Sequence, residues 1–285
     1  GSQTGGSITR PASYCGVAGC KPSYGRVSLH GALPLAHSMD HPGPIAPSVR
    51  DLAILLQTIA GPDPLDPVCS DRPVPDYLAI LERDSPPPRL GRLRGLFEER
   101  ADAQMRALMG RVSTQLAQAG AEIVDVALPA GFGEVLARHR TIMAVEAAQF
   151  HEQRLRSHPE DYDPNIRQLL EEGLACPAPE YARCKEYQAR LRQETQACLA
   201  GLDALLAPAT TGPAPDAAST GDPAFNSPWS CTGLPVVSLP AGWTDDGLPL
   251  AVQLIAGPFA EDSLFVAALW CEKTLEFPRR DPPLP

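Results

Sequence analysis

The tetrapeptide Thr4-Gly5-Gly6-Ser7 places a hydroxyl nucleophile directly after two residues that carry no Cβ. Successive glycines let the backbone take dihedrals closed to other residues and approach a ligand closely, so several N–H groups can turn toward one point. That arrangement suits acyl transfer. Ser7 attacks a carbonyl while the N–H groups of Thr4, Gly5, Gly6 and Ser7 hold the developing oxyanion, so that nucleophile and oxyanion hole share one loop. A phosphate cradle fits less well, because the G-x-x-x-x-G-K-[ST] spacing is absent and Ile8-Thr9-Arg10-Pro11 supplies no lysine. A G-x-S-x-G nucleophile elbow is also absent.

His30, His37 and His41 follow at spacings of seven and four. They invite a metal site, or a histidine base for Ser7 as in a carboxylesterase with a Ser-His-Asp triad. They fall in a Gly/Pro-rich stretch rather than on one helix face, with no paired cysteine or carboxylate pattern, so they read as surface loop histidines and no metal is expected. Asp40 and Asp51 read as caps of turns and helices.

Where TGGSITRP runs on into CGVAGCKPSYGRVSLHGALPLAHSMDHPGPIAPSVRDLA, the sequence resembles the amidase signature family of serine amide hydrolases. The resemblance rests on the glycine-serine stretch, GCKPSYGR at 19–26, Ser38-Met39-Asp40 and Gly43-Pro44. It continues in LLAPAT, TGDPAFNSPW, GLPVVSLPAG and LPLAVQLIAG, and so covers nearly the whole chain.

The resemblance implies a triad of serine, a second serine on a cis peptide and lysine, with Ser7 as the acylated nucleophile. The other two members would lie N-terminal to Gly1, so this chain reads as the C-terminal part of the domain. Gly1 and Ser2 then belong to the motif rather than to a tag. Lys21 matches the family's structural lysine, and Lys185 and Lys273, in helical contexts, are not expected to act as base. Two positions depart from the family: Gln3 stands where an aspartate is usual, and Thr9, followed by Arg10, where an arginine is usual. The first removes a charge beneath the loop and the second displaces one by a residue, with consequences for loop geometry and substrate range.

With 285 residues and 44% hydrophobic content, the chain is long enough to bury a sizeable core. A net charge of -10 with scattered Lys and Arg leaves no basic face for a phosphate backbone, which argues against nucleic acid as a ligand. No run approaches the roughly 18 apolar residues of a membrane span. The eight cysteines lack C-x-x-C spacing and read as reduced, mostly buried thiols of a cytoplasmic protein.

These residues need a scaffold, and the periodicity predicts an α/β fold, a mixed β-sheet covered by α-helices. SVRDLAILLQTIA at 48–60 spaces Val49, Leu52, Leu55 and Ile59 at helical intervals, with Ser48 as N-cap and Gly61 as the stop. A strand at 89–96, a helix at 102–119 and a strand at 121–129 form a βαβ unit, so the sheet is at least partly parallel. Residues 132–201 form helices broken at Pro159, Pro164 and CPAP at 176–179, a layer over the sheet. Apolar runs at 202–210, 234–242 and 248–257 are buried or edge strands, and a helix over 261–276 closes the chain. The whole, 1–285, reads as one incomplete amidase domain: nucleophile loop and signature core at 1–67, strand-helix-strand at 68–131, helical substrate-side layer at 132–201, C-terminal strands and helix at 202–285.

On the helix carrying EAAQFHE, Phe150 and His151 are candidates for the acyl pocket, and in the rigid loop at 220–230 so are Phe225 and Trp229. The function that follows is hydrolysis of a carboxylic amide, to the acid and ammonia or an amine, through an acyl-enzyme on Ser7. No cofactor is needed, the partner is a small-molecule amide, and a homodimer stays open. The alternative is a non-hydrolytic amidase-like protein or an amidotransferase subunit working with a partner chain. TGDPAFNSPW is closer to stand-alone amidases. This stretch alone is expected to be inactive, because the upstream lysine and second serine are missing from it.

Overall fold

The structure, a computed structural model, describes residues 1–278 and residue 280. Among the described residues, nine strands run in chain order as β1 (Ser2–Gln3), β2 (Ala18–Lys21), β3 (His41–Pro42), β4 (Ile45–Ala46), β5 (Arg89–Leu93), β6 (Glu122–Val126), β7 (Ala204–Pro208), β8 (Val236–Trp243) and β9 (Pro249–Ile255). The helices are α1 (Thr9–Tyr14), α2 (Val49–Ile59), α3 (Tyr77–Leu81), α4 (Leu96–Glu99), α5 (Ala103–Gln118), α6 (Val135–Ser157), α7 (Pro164–Ala175), α8 (Ala178–Ala197), α9 (Ser227–Thr232) and α10 (Glu261–Leu275).

Seven strands form one mixed sheet in the order β4-β2-β8-β9-β7-β5-β6. The β5-α5-β6 unit is parallel, as the sequence predicts, and β5 also pairs in parallel with β7. Asp102 caps α5 by accepting the Met105 amide, which fixes where the crossover helix begins. The other pairings are antiparallel, and β7, β8 and β9 occupy the middle of the sheet rather than an edge. Of their side chains, Leu205, Val236, Val237, Leu239, Val252, Leu254 and Ile255 are fully enclosed, while the second half of β8 is only partly buried. Helices α1, α5 and α10 pack on these central strands, and α6 and α8 rest on α9.

A separate two-stranded ladder, β1 with β3, holds the segment leading into the glycine-serine loop. Gly1 and Gly43 exchange hydrogen bonds at its end. The glycine of the Gly43-Pro44 pair is required by close approach: a Cβ there would lie 2.2 Å from the Cys20 carbonyl oxygen. Lys21 at the end of β2 is wholly buried, donating to the carbonyls of Leu234 at 2.7 Å and Pro22 at 3.1 Å, and burial lowers its pKa to about 7.

Three expectations change. Helix α2 has its Ser48 cap, but the enclosed residues are Val49, Leu52, Ala53 and Leu56, while Leu55 and Ile59 face outward together with Ile54. The helix has too many apolar residues for one face, and spacing alone does not say which row turns inward. Part of the stretch expected as a rigid loop at 220–230 folds into α9, with Pro228 in its first turn, where the missing N–H costs nothing. His41, expected at the surface, is buried in β3: its Nδ1 lies 2.6 Å from the Met39 carbonyl and its ring meets Tyr24 edge-on.

Candidate active site

The loop of residues 4–8 joins β1 to α1, and its conformation is set from beneath by Gln3. The buried Gln3 side-chain oxygen accepts the amides of Ile8 at 2.9 Å and Thr9 at 3.0 Å and the Thr9 hydroxyl at 3.1 Å. These are the donors a carboxylate would take at the same place, so a neutral amide fills the role without a buried charge. The Gln3 amide group donates in turn to the Ser230 hydroxyl at 3.3 Å. With the inner donors taken, the N–H groups of Gly5, Gly6 and Ser7 have no acceptor among the described residues.

Ser7 itself is exposed and lines a cleft of about 590 Å3. The walls come from Thr4 and Asp40, the apolar segment 29–35, residues 65–68 and Phe150 on α6. Neither Lys nor Arg is among the lining residues, and the Ser7 hydroxyl has no hydrogen-bond partner among the described residues.

Thr4 is held on two sides. Its hydroxyl donates to one oxygen of Asp40, whose other oxygen accepts the amides of Leu35 at 2.9 Å and Ala36 at 3.0 Å. Burial raises the Asp40 pKa in spite of these three donors. The Thr4 carbonyl oxygen lies 2.8 Å from His139 Nε2, and burial keeps that imidazole below its ordinary pKa.

A second polar cluster fixes the segment carrying Asp40. Glu146 of α6, almost fully enclosed, accepts the Ser38 amide at 2.9 Å, the Ser38 hydroxyl at 2.6 Å and the Tyr181 hydroxyl at 2.9 Å. Lys185 of α8 sits 2.7 Å from the Ser38 hydroxyl and 3.3 Å from Glu146. Burial pushes the Glu146 carboxyl up, but the two Ser38 hydrogen bonds with Lys185 and His37 outweigh it and hold the pKa below its ordinary value. Lys185 is thereby held in this cluster by Ser38 and Glu146, and Lys273 is exposed on α10.

The sequence-predicted residues divide. Phe150 is 49% exposed and lines the cleft, with His30 and the largely exposed His37. His151 is not among the lining residues; its Nδ1 lies 3.0 Å from the Tyr162 hydroxyl. Phe225 and Trp229 require correction as pocket walls. Folding of α9 turns both into the core, where they join Phe97 and Phe132 in one aromatic cluster. Asn226, between them, lies beneath the nucleophile loop, donating to the Thr9 hydroxyl at 3.1 Å and the Ala209 carbonyl at 2.9 Å. Arg10, the displaced arginine, reaches the Gly221 carbonyl at 3.2 Å and so ties α1 to the segment before α9. Among the described residues no group of three His, Cys, Asp or Glu side chains could hold a metal ion, and no helix is long and apolar enough to cross a membrane.

The sequence pattern that defines the amidase family matches residues 1–265. The chain belongs to the amidase family. An amidase of Pseudomonas putida is 34% identical over 302 residues, covering 100% of this chain and 64% of that protein. A glutamyl-tRNA(Gln) amidotransferase subunit from Prochlorococcus marinus strain MIT 9303 is 34% identical over 307 residues, covering 96% of this chain and 63% of that protein. Among solved structures, the inhibitor-bound form of a vestigial protein complex described as revealing the evolutionary origins of an s-triazine catabolic enzyme superposes with a TM-score of 0.86 at 34% identity, over 96% of this chain and 62% of that one. The chain thus spans somewhat under two thirds of the length of these amidase relatives. The α/β architecture with its mixed sheet is that of the amidase structures.

Proposed function

We propose that this chain carries the acylating centre of an amide hydrolase, with Ser7 as nucleophile and the N–H groups of residues 4–7 as oxyanion donors. One observation carries the reading: Gly5, Gly6 and Ser7 present three consecutive N–H groups without acceptors, beside an exposed serine on a cleft. Ser7 Oγ adds to the amide carbonyl, the oxyanion takes these N–H groups, and collapse of the adduct expels ammonia or an amine. Water then releases the acid. The proton that Ser7 gives up passes to the leaving nitrogen through a serine-lysine relay, whose members, the family resemblance implies, lie N-terminal to Ser7.

The cleft supports a substrate with an uncharged, largely apolar acyl group. Leu29, Leu33, Leu35, Leu65, Val68 and Phe150 line it. Asp40 and Asp66 are occupied by backbone N–H groups. The amidotransferase reading calls for glutamine, whose α-carboxylate would meet no Lys or Arg among the lining residues.

The test is ammonia release from simple apolar amides by the protein as its gene encodes it, without tRNA or a partner chain. Hydrolysis of a neutral apolar amide in preference to glutamine supports the reading. Ammonia release only from glutamine, and only with an added partner, would transfer it to the amidotransferase class.

A further inference from the structure

Helix α6 holds the nucleophile loop through two side chains seven positions apart, His139 directly at Thr4 and Glu146 indirectly through the Ser38–Asp40 segment. His139 and Glu146 are separated by nearly two turns, so both project from one face. His139 Nε2 lies 2.8 Å from the Thr4 carbonyl oxygen, and because a carbonyl only accepts, this nitrogen carries the proton. Every described peptide bond is trans, so the Thr4 C=O and the Gly5 N–H of one peptide plane point in opposite directions. Drawing the Thr4 carbonyl toward α6 therefore turns the Gly5 N–H away from α6, where it has no acceptor. Glu146 completes the hold: it fixes Ser38 through two hydrogen bonds, and Asp40, two residues on, accepts the Thr4 hydroxyl. Phe150, one turn beyond Glu146, adds a cleft wall.

We propose that His139 is a positioning residue for the oxyanion donors, holding the Thr4-Gly5 peptide in the orientation acyl transfer requires, with Glu146 as the second anchor of the same loop. The proposal rests on the amide-hydrolase reading above. His139 touches neither substrate nor Ser7. It acts through a single peptide plane, so its loss misaims a donor without altering the cleft walls.

The experiment measures kcat and KM for a neutral apolar amide in the protein as its gene encodes it, for wild type, His139→Met, His139→Gln and Ser7→Ala. Methionine keeps the apolar volume and adapts to a core site but donates nothing. Glutamine restores an N–H donor. His139→Met is expected to lower kcat about 10- to 100-fold with KM within about threefold of wild type, somewhat less than outright loss of an oxyanion donor. His139→Gln is expected to recover most of kcat. A kcat within threefold of wild type in His139→Met, or equal losses in the Met and Gln variants, overturns the proposal. If His139→Met does not fold, His139→Leu, which also fills the site without donating, takes its place, and an unchanged kcat there is equally fatal. Undiminished hydrolysis by Ser7→Ala removes the amide-hydrolase reading and this proposal together. Loss in Ser7→Ala with wild-type rates in His139→Met removes the positioning role alone.

Discussion

Asn226 closes so tightly on Gly6 that a Cβ built on the glycine would lie 2.9 Å from the Asn226 side-chain oxygen and 3.0 Å from its Cβ. Glycine is required here by contact with a fully buried side chain that already holds Thr9 and Ala209. Gly6→Val is therefore expected to push the loop off Asn226 and lower kcat by at least about 100-fold, the scale of losing an oxyanion donor. Steady-state hydrolysis of an apolar amide checks this, and near-wild-type turnover would refute the shared loop.

Gln3→Leu tests the support beneath the loop. The change leaves the Ile8 and Thr9 amides and the Thr9 hydroxyl without their acceptor in a buried site. A loss of about 2–4 kcal/mol is expected, since each stranded buried donor costs about 1–3 kcal/mol and part of that is relieved by rearrangement. Gln3→Glu keeps an acceptor oxygen and should lose less. Urea unfolding of the three proteins gives the comparison, and equal midpoints for wild type and Gln3→Leu would contradict the structure.

Much of the scaffold is legible in the sequence because its signals are local. Ser48 and Asp102 cap helices that begin where their spacing places them, and the apolar runs bounded by Pro and Gly become β7, β8 and β9. The supports of the loop are not legible, because their partners are remote. His139 and Thr4 are 135 positions apart, Glu146 and Ser38 108, and Asn226 and Thr9 217. Phe225 and Trp229 mislead for a related reason. Aromatic residues among Pro and Asn read as a loop wall until α9 forms and rotates them into the core.

Acidification should destabilise the fold before the carboxylates titrate. His41 and His139 are buried, and burial lowers both pKa values, so the folded state refuses protons that the unfolded chain accepts near pH 6.5. Stability is thus expected to fall as pH drops through 6.5 and to go on falling until the folded pKa is reached, by at most about 1.4 kcal/mol per pH unit for each histidine. His139→Gln should show a shallower fall, which separates this effect from Asp40, whose raised pKa acts in the opposite sense. Urea midpoints between about pH 7 and about pH 5 give the slopes. Parallel slopes for wild type and variant would contradict the assignment.

Residues 1–285 expressed alone are expected to self-associate and to turn over no amide. Ile54, Leu55 and Ile59 are each more than 40% exposed on the outer face of α2, next to the edge strand β4. Ser7 meanwhile has no basic partner among the described residues. Light scattering should fall when Ile54 and Ile59 are replaced by Lys and Glu. Monodisperse wild-type residues 1–285 with Ser7-dependent hydrolysis would refute both statements, and with them the serine-lysine relay.

Covalent capture of Ser7 tests the central claim most directly. The protein as its gene encodes it is treated with a serine-reactive fluorophosphonate, digested, and the modified peptide identified by mass spectrometry, with Ser7→Ala in parallel. One adduct on the peptide containing Ser7, absent from Ser7→Ala while the melting temperature is unchanged, is the predicted result. An adduct that persists in Ser7→Ala, or that forms on another residue while Ser7 stays unmodified, would contradict the assignment of Ser7 as the nucleophile.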